Sequence, residues 1–228
     1  MSKNLLVVGG NGALGKSVVK EFKKEILGKN SWSITSLDLS ENQQANHNIS
    51  LDKNFVSDSK YVDLIHLEID KIVKKYDSII CVAGGFEAVG ITSNSIIKST
   101  NNMMNMNFYS SLLTVHLAQK YLLNDSLLVL TGAASIRNKS DNSGILSYQL
   151  AKQGVESITD TITQYPKLLP TNTKVVTICP SVIDTENNRR DMPNADTSKW
   201  TSPEKIANLL RYWAESPKNA PKDNYYLV

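Results

Sequence analysis

Residues 5–22 read LLVVGGNGALGKSVVKEF, an apolar run that enters a cluster of glycines and leaves it as a stretch of helix-forming residues. Gly10, Gly12 and Gly15 fit the spacing G-x-G-x-x-G, and Gly9, Gly12 and Gly15 also fit G-x-x-G-x-x-G. Each glycine has its own reason. The first ones permit a tight turn after a strand, and the next lets backbone approach a pyrophosphate. Gly15 lets the following helix lie close to the sheet, with its positive end toward the phosphates. Gly9, Asn11, Gly12, Ala13, Leu14 and Gly15 are therefore the candidate dinucleotide contacts.

The next acidic residue in the right place is Asp38, which ends the apolar run of SITSLDLS (Ser33–Ser40). A carboxylate at the end of the second strand can accept hydrogen bonds from adenosine ribose hydroxyls and would repel a 2′-phosphate. No lysine or arginine directly follows it, the next basic residue being Lys53. NADH is the expected cofactor, with NADPH weaker. The alternative is a solvated aspartate with no ligand.

Outward from this turn, short apolar runs alternate with longer amphipathic ones, the pattern of βαβ units and a parallel sheet. Strands are expected at Leu5–Gly9, Trp32–Asp38, near Asn48–Leu51, Ser78–Ala83, Ser126–Thr131, Lys174–Cys179 and Tyr225–Val228. Runs such as LLVV, SIICVA, LLVL and VVTIC are apolar throughout, as strands buried on both faces must be. Helices are expected at Ala13–Leu27, Val56–Tyr76, Ile97–Leu123, Ser147–Gln164 and Pro203–Glu215, the last with Ser202 as N-cap and proline at its first position. Residues 138–143 and 184–202 read as polar loops, the second long enough to cover a substrate. The fold class is α/β: a Rossmann-type three-layer αβα sandwich with a mainly parallel seven-stranded sheet, in one domain spanning residues 1–228.

Composition fits that class. The chain has 228 residues, 41% hydrophobic and 21% charged, with a net charge of +3 and no basic block. It has no nucleic-acid stripe and no run near the ~20 apolar residues of a membrane span. Cys81 and Cys179 each follow an apolar run and read as buried strand thiols of a reducing compartment. The glycine turn comes too early for a signal peptide, so a cytoplasmic protein is expected.

The segment GILSYQLAKQGVES sets Tyr148 and Lys152 four residues apart, one above the other on a helix. A free tyrosine, with a pKa near ~10, is a poor proton donor at neutral pH. A cation one turn away would stabilise the phenolate and make proton delivery feasible. The same ammonium could also hydrogen-bond the nicotinamide ribose.

The glycine turn, CVAGG (Cys81–Gly85) and the Tyr148–Lys152 pair together resemble the short-chain dehydrogenase/reductase family. Within it the chain is similar to the quinonoid dihydropteridine reductases, through GGNGALG (Gly9–Gly15), LDLSENQQA (Leu37–Ala45), CVAGGF (Cys81–Phe86), HLAQKYL (His116–Leu122), YQLAK (Tyr148–Lys152) and, most specifically, IDTENNRRDMPNADTSKW (Ile183–Trp200). The resemblance runs from Leu5 to Val228. It implies NADH-dependent reduction of a quinonoid dihydropterin (dihydrobiopterin) to the tetrahydropterin, regenerating tetrahydrobiopterin, by a homodimer built on the helices at Ile97–Leu123 and Ser147–Gln164. Phe108, Leu112, Val115 and Leu122 are the apolar positions expected on that interface. The resemblance also implies Tyr148 as the acid and Lys152 as its electrostatic partner and ribose anchor. Ala83, Gly84 and Gly85 would line the cofactor, and Ile183 and Thr185 lie where the family holds the nicotinamide carboxamide. Phe86 would offer an aromatic face to the pterin, or else be a core phenylalanine.

The family's usual serine before the tyrosine falls at Ala133 when aligned from the strand LLVLTGAAS, and nearer Ser135 when counted back from Tyr148. The alignment from the strand is preferred, since a strongly electrophilic pterin needs less polarisation than a ketone. Asn107 matches a helix asparagine that many members use in a proton relay; a polar residue on a helix face is the other reading. His47, His66 and His116 lie in three segments without ligand spacing, so no metal is expected. There is no G-x-S-x-G elbow for a hydrolase. The alternatives are a short-chain dehydrogenase acting on a ketone or alcohol and a non-catalytic NAD(H)-sensing protein; sensors commonly lose the tyrosine–lysine pair, which this chain keeps.

Overall fold

In the computed structural model, which describes residues 2–52, 60–138 and 143–228, the chain builds seven strands into one sheet. Strands β1 (Ser2–Val8), β2 (Ser31–Asp38), β3 (His47–Ser50), β4 (Tyr76–Cys81), β5 (Leu122–Thr131), β6 (Lys174–Cys179) and β7 (Tyr225–Leu227) lie in the order β3-β2-β1-β4-β5-β6-β7. Every neighbouring pair is parallel, so "mainly parallel" becomes wholly parallel. Parallel neighbours need crossover connections, which put helices on both faces of the sheet.

One face is covered by α2 (Lys60–Ile72), α4 (Ser110–Tyr121) and α6 (Leu146–Gln164), which bury Ile65, Ile69, Leu117, Val155 and Ile162 against the strands. The other is covered by α1 (Ala13–Lys23) and α8 (Pro203–Glu215) through Val18, Phe22, Ile206, Leu210 and Trp213. The three-layer αβα reading holds. The chain winds outward from β1 through β2 to β3, then returns to the other side for β4, so the connections that follow the paired ends of β1 and β4 leave toward opposite faces, with α1 on one and α4 on the other. Such a reversal opens the crevice where ligands of this architecture bind.

Several boundaries differ from the sequence reading, each with a cause. Helix α1 stops at Lys23, not Leu27, because the buried Arg211 of α8 takes its last carbonyls: Nη1 donates to the oxygens of Glu21 and Lys24. The expected start of the second helix at Val56–Ser59 lies outside the described residues, and α2 ends at Ile72 because Tyr76 is already a buried residue of β4. The expected helix Ile97–Leu123 is three pieces, α3 (Ile96–Met103), a π-helical turn (Met104–Tyr109) and α4, after which Leu122 and Leu123 belong to β5. Leu122 is thus buried in the sheet and unable to serve a helical interface.

A short helix α5 (Ala134–Arg137) precedes α6, and residues 139–142 of the expected loop lie outside the described residues. The segment 184–202 is not plain loop: it holds α7 (Glu186–Asp191), capped by the Thr185 hydroxyl, and a 3-10 turn (Thr197–Lys199). Ser202 caps α8 as read, accepting from the Lys205 amide. Cys81 and Cys179 are buried free thiols of β4 and β6. Among the described residues no helix is long and apolar enough to cross a membrane.

Candidate active site

The glycine turn is held by backbone contact with its neighbours. Gly9 has φ +84°, and a Cβ on it would lie 2.4 Å from the Ala83 nitrogen at the end of β4. A Cβ on Gly15 would lie 2.0 Å from the Gly9 carbonyl oxygen. Neither position accepts a side chain, for the first needs a left-handed backbone and both need the room. A Cβ on Gly12, by contrast, would meet only the Gly9 oxygen at 3.4 Å. Gly12 and Ala13 are exposed, and no side chain caps the start of α1. The N–H groups of that first turn are thus free of a side-chain acceptor and face an open crevice, an arrangement that fits an anionic pyrophosphate. Leu14 turns its side chain into the core, so only its backbone faces the crevice.

Asp38 ends β2 beside this turn and is more than a solvated carboxylate. Oδ2 accepts from the Asn11 amide at 2.7 Å and Oδ1 from the Leu39 amide at 2.6 Å. The Asn11 side chain donates to Ser40 Oγ at 2.7 Å.

Beyond β4, Ala83 donates its N–H to the Val8 carbonyl. Gly84 sits between Asn107 and Lys152: a Cβ there would lie 2.8 Å from Asn107 Oδ1 and 3.6 Å from Lys152 Nζ. Asn107 is a buried polar residue of the π-helical turn. Its Oδ1 accepts from the Gly85 amide at 3.3 Å, and its Nδ2 donates to the carbonyls of Gly85 and Met103, each at 3.1 Å. A π-turn is uncommon and often found at functional sites; here it aims one carboxamide at both backbone groups of Gly85.

Tyr148 and Lys152 share α6, whose start is fixed by the buried Ser147. Ser99 Oγ donates to Ser147 Oγ at 2.8 Å, and the Ser147 amide donates to the Val89 carbonyl. This brings Tyr148 against Phe86, edge to face, with ring centroids 5.0 Å apart. Phe86 is 56% exposed, so the core-phenylalanine alternative fails. Lys152 is buried, with Nζ 5.7 Å from the centre of the Tyr148 ring and donating to the Thr131 carbonyl at 2.8 Å.

Burial raises the Tyr148 phenol above its ordinary value and lowers the Lys152 ammonium to about 8. The shift on the tyrosine is opposite to the one expected from a neighbouring cation. Desolvation sets the direction here, and the ammonium is directed at a backbone carbonyl.

After β6, Ile183 bridges Thr201, and Asn188 Nδ2 donates to the Ile183 carbonyl at 2.8 Å. Thr185 Oγ1 accepts from the Asn188 amide, which leaves its own proton for another acceptor. Ala133, buried at the end of β5, carries no hydroxyl, while Ser135 lies within α5.

The model of the short chain dehydrogenase family matches residues 3–196. The chain is a member of the short-chain dehydrogenase family. A dihydropteridine reductase of Dictyostelium discoideum is 34% identical over 224 residues, covering 97% of this chain and 91% of that one. A short-chain dehydrogenase family protein from Francisella tularensis subsp. tularensis has the same fold, with a TM-score of 0.78 at 20% identity over 100% of this chain and 97% of its own. A short chain dehydrogenase from Bacillus anthracis gives a TM-score of 0.77 at 18% identity, over 99% and 94%.

Two features of this short-chain dehydrogenase escaped the sequence reading. Asn42, buried, donates Nδ2 to the Gly10 carbonyl at 2.7 Å, a contact that no motif spacing signals. His66 and His116 were read as unrelated, yet α2 and α4 set their Nε2 atoms 3.1 Å apart. Among the described residues no three metal-capable side chains gather.

The lowered Lys152 carries a stability consequence. Between about 8 and its ordinary 10.5 the unfolded chain binds the proton and the folded chain does not, so stability rises with pH through that window. Below about 8 the buried charge costs up to about 3 kcal/mol. Lys152→Met should therefore be more stable than wild type at pH 7, with the gap narrowing as pH rises from about 8 toward 10. Denaturant titrations across that range read it; a gap that stays constant would contradict the assignment.

Proposed function

We propose that this short-chain dehydrogenase is an NADH-dependent reductase of quinonoid dihydropterins, forming the tetrahydropterin. The observation that carries the reading is the exposed ring of Phe86 set edge to face against Tyr148, a flat apolar wall beside a proton donor. A planar bicyclic ring can lie on that wall with a ring nitrogen near the phenol. The name of the Dictyostelium relative supports the same substrate class.

NADH would lie along the strand ends, with its pyrophosphate at Gly9–Gly15, its adenosine ribose at Asp38 and its nicotinamide toward Ala83–Gly85, Ile183 and Thr185. Bound there, it supplies the hydride. Tyr148 Oη would deliver the accompanying proton, and Lys152 would have to offset the rise that burial imposes on the phenol. Lys152 Nζ, 3.6 Å from where a Gly84 Cβ would be, is placed to anchor the nicotinamide ribose. Asn107 holds the backbone of Gly85 so that the floor between cofactor and substrate keeps its shape. The absence of a hydroxyl at Ala133 fits a substrate that needs no carbonyl polarisation. Asp38 opposes a 2′-phosphate, which favours NADH over NADPH.

We also propose that two copies associate through α4, α6 and the π-turn. Met106, Tyr109, Leu112 and Leu150 are all exposed on these elements, an apolar surface that suits a second copy of the chain. Of the positions expected from sequence, only Leu112 is exposed; Phe108 packs on Gly154, and Val115 is half-buried against the core. Sedimentation velocity at micromolar concentration should give a dimer, and a monomer alone would refute this surface.

The chemical reading is tested by NADH oxidation with quinonoid dihydrobiopterin beside a panel of ketones and alcohols. The pterin should be turned over, with NADH preferred to NADPH. Tyr148→Phe should slow turnover by about 10²–10⁴-fold while NADH affinity stays nearly intact. Turnover of ketones alone, with a large loss on Ser135→Ala, would move the protein to carbonyl reduction; binding of NADH with no turnover at all would make it a sensor.

A further inference from the structure

The middle peptide of the glycine turn, between Gly10 and Asn11, is gripped at both ends. A trans peptide points its C=O and N–H in opposite directions, so two partners on opposite sides fix its plane. Asp38 Oδ2 takes the Asn11 N–H at 2.7 Å, and Asn42 Nδ2 donates to the Gly10 oxygen at 2.7 Å.

Asn42 is itself held without freedom to turn. Its Oδ1 accepts from the Gln44 amide at 2.8 Å, which fixes the carboxamide with Nδ2 toward Gly10. Its backbone N–H donates to Asn48 Oδ1 at 2.9 Å, and its carbonyl accepts from Asn48 Nδ2 at 3.2 Å and from the Ala45 amide at 3.1 Å. Asn48 belongs to β3, so the edge strand of the sheet anchors the residue that sets the turn. Asn42 is only 3% exposed, and both ends of its carboxamide are bonded to backbone.

We propose that Asn42 is a positioning residue of the dinucleotide site: by holding the Gly10 carbonyl it orients the Gly10–Asn11 peptide and, through the Asn11 amide, the Asp38 carboxylate. The proposal rests on the dinucleotide reading above. Without the grip the peptide can rotate, the Asn11 N–H leaves Asp38, and the carboxylate loses the orientation from which it meets ribose hydroxyls. The effect falls on cofactor affinity and not on the chemical step, because Tyr148 and Lys152 stand on a different helix.

Asn42→Asp and Asn42→Ala test this, with NADH affinity read by fluorescence quenching and steady-state kinetics read at saturating NADH. Both variants should bind NADH about 10- to 100-fold more weakly, the range expected for a lost buried hydrogen bond, with kcat within about twofold of wild type. In Asn42→Asp an ionised carboxylate faces the Gly10 oxygen, whereas a protonated one can donate to it. Its affinity relative to wild type should therefore recover as pH falls from about 8 to about 5.5, while that of Asn42→Ala should not. If Asn42→Asp does not fold, Asn42→Ala with the split between KM and kcat carries the test. Wild-type affinity in the variants, a fall in kcat with unchanged KM, or an Asn42→Asp loss that ignores pH would each overturn the proposal. A wild-type protein that binds neither NADH nor NADPH would instead overturn the dinucleotide reading beneath it.

Discussion

Helix α1 touches strand β1 through bare backbone: the place of a Gly15 Cβ is 2.0 Å from the Gly9 carbonyl, and that of a Gly9 Cβ is 2.4 Å from the Ala83 nitrogen. Three segments meet there at distances that no side chain permits, and the site is assembled around the contact. It points the start of α1 toward the C-terminal ends of β1 and β4, where the chain leaves the two strands for opposite faces of the sheet. It sets the residues after β4 directly beside the glycine turn, at one end of the sheet. From Gly84 and Gly85 the arrangement continues to Asn107 and Lys152, and from Lys152 one helical turn back to Tyr148 and Phe86.

The polar groups at this edge are divided between building the site and working in it. Asn42, Asn107, Ser99 and Ser147 make hydrogen bonds that are internal to the scaffold. Lys152 is the costly member, a buried ammonium whose bonded partner is the carbonyl of Thr131. Holding a charge there at the expense of stability is what a functional position looks like when local packing rules are broken. Around it the sheet buries apolar strand residues on both faces.

The sheet was legible in the sequence because parallel strands leave almost no solvent face, so each of LLVV, SIICVA, LLVL and VVTIC had to be apolar throughout. The glycine turn and the Tyr148–Lys152 spacing were legible because backbone crowding and helical periodicity constrain residue type at fixed offsets. Features set by distant partners were not. Helix α1 ends at Lys23 because of Arg211, far along the chain, and nothing in KKEILGK marks the stop. The residues MNMNFY look like ordinary helix, and only the tertiary contact of Asn107 with Gly85 gives a reason for a π-turn. Leu122 continues an apolar helical stripe yet starts β5, since it pairs with Tyr76. Asn42 sits in a polar run, ENQQ, whose composition says loop while its side chain reaches the glycine turn.

The central claim is that four separated segments form one cofactor bed, and hydrogen–deuterium exchange with and without NADH tests it most directly. Amides within Gly9–Gly15, Leu37–Asn42, Ala83–Gly85 and Ile183–Thr185 should gain protection together, with one shared dependence on NADH concentration. Protection confined to a single segment, or centred on another part of the molecule, would contradict the account.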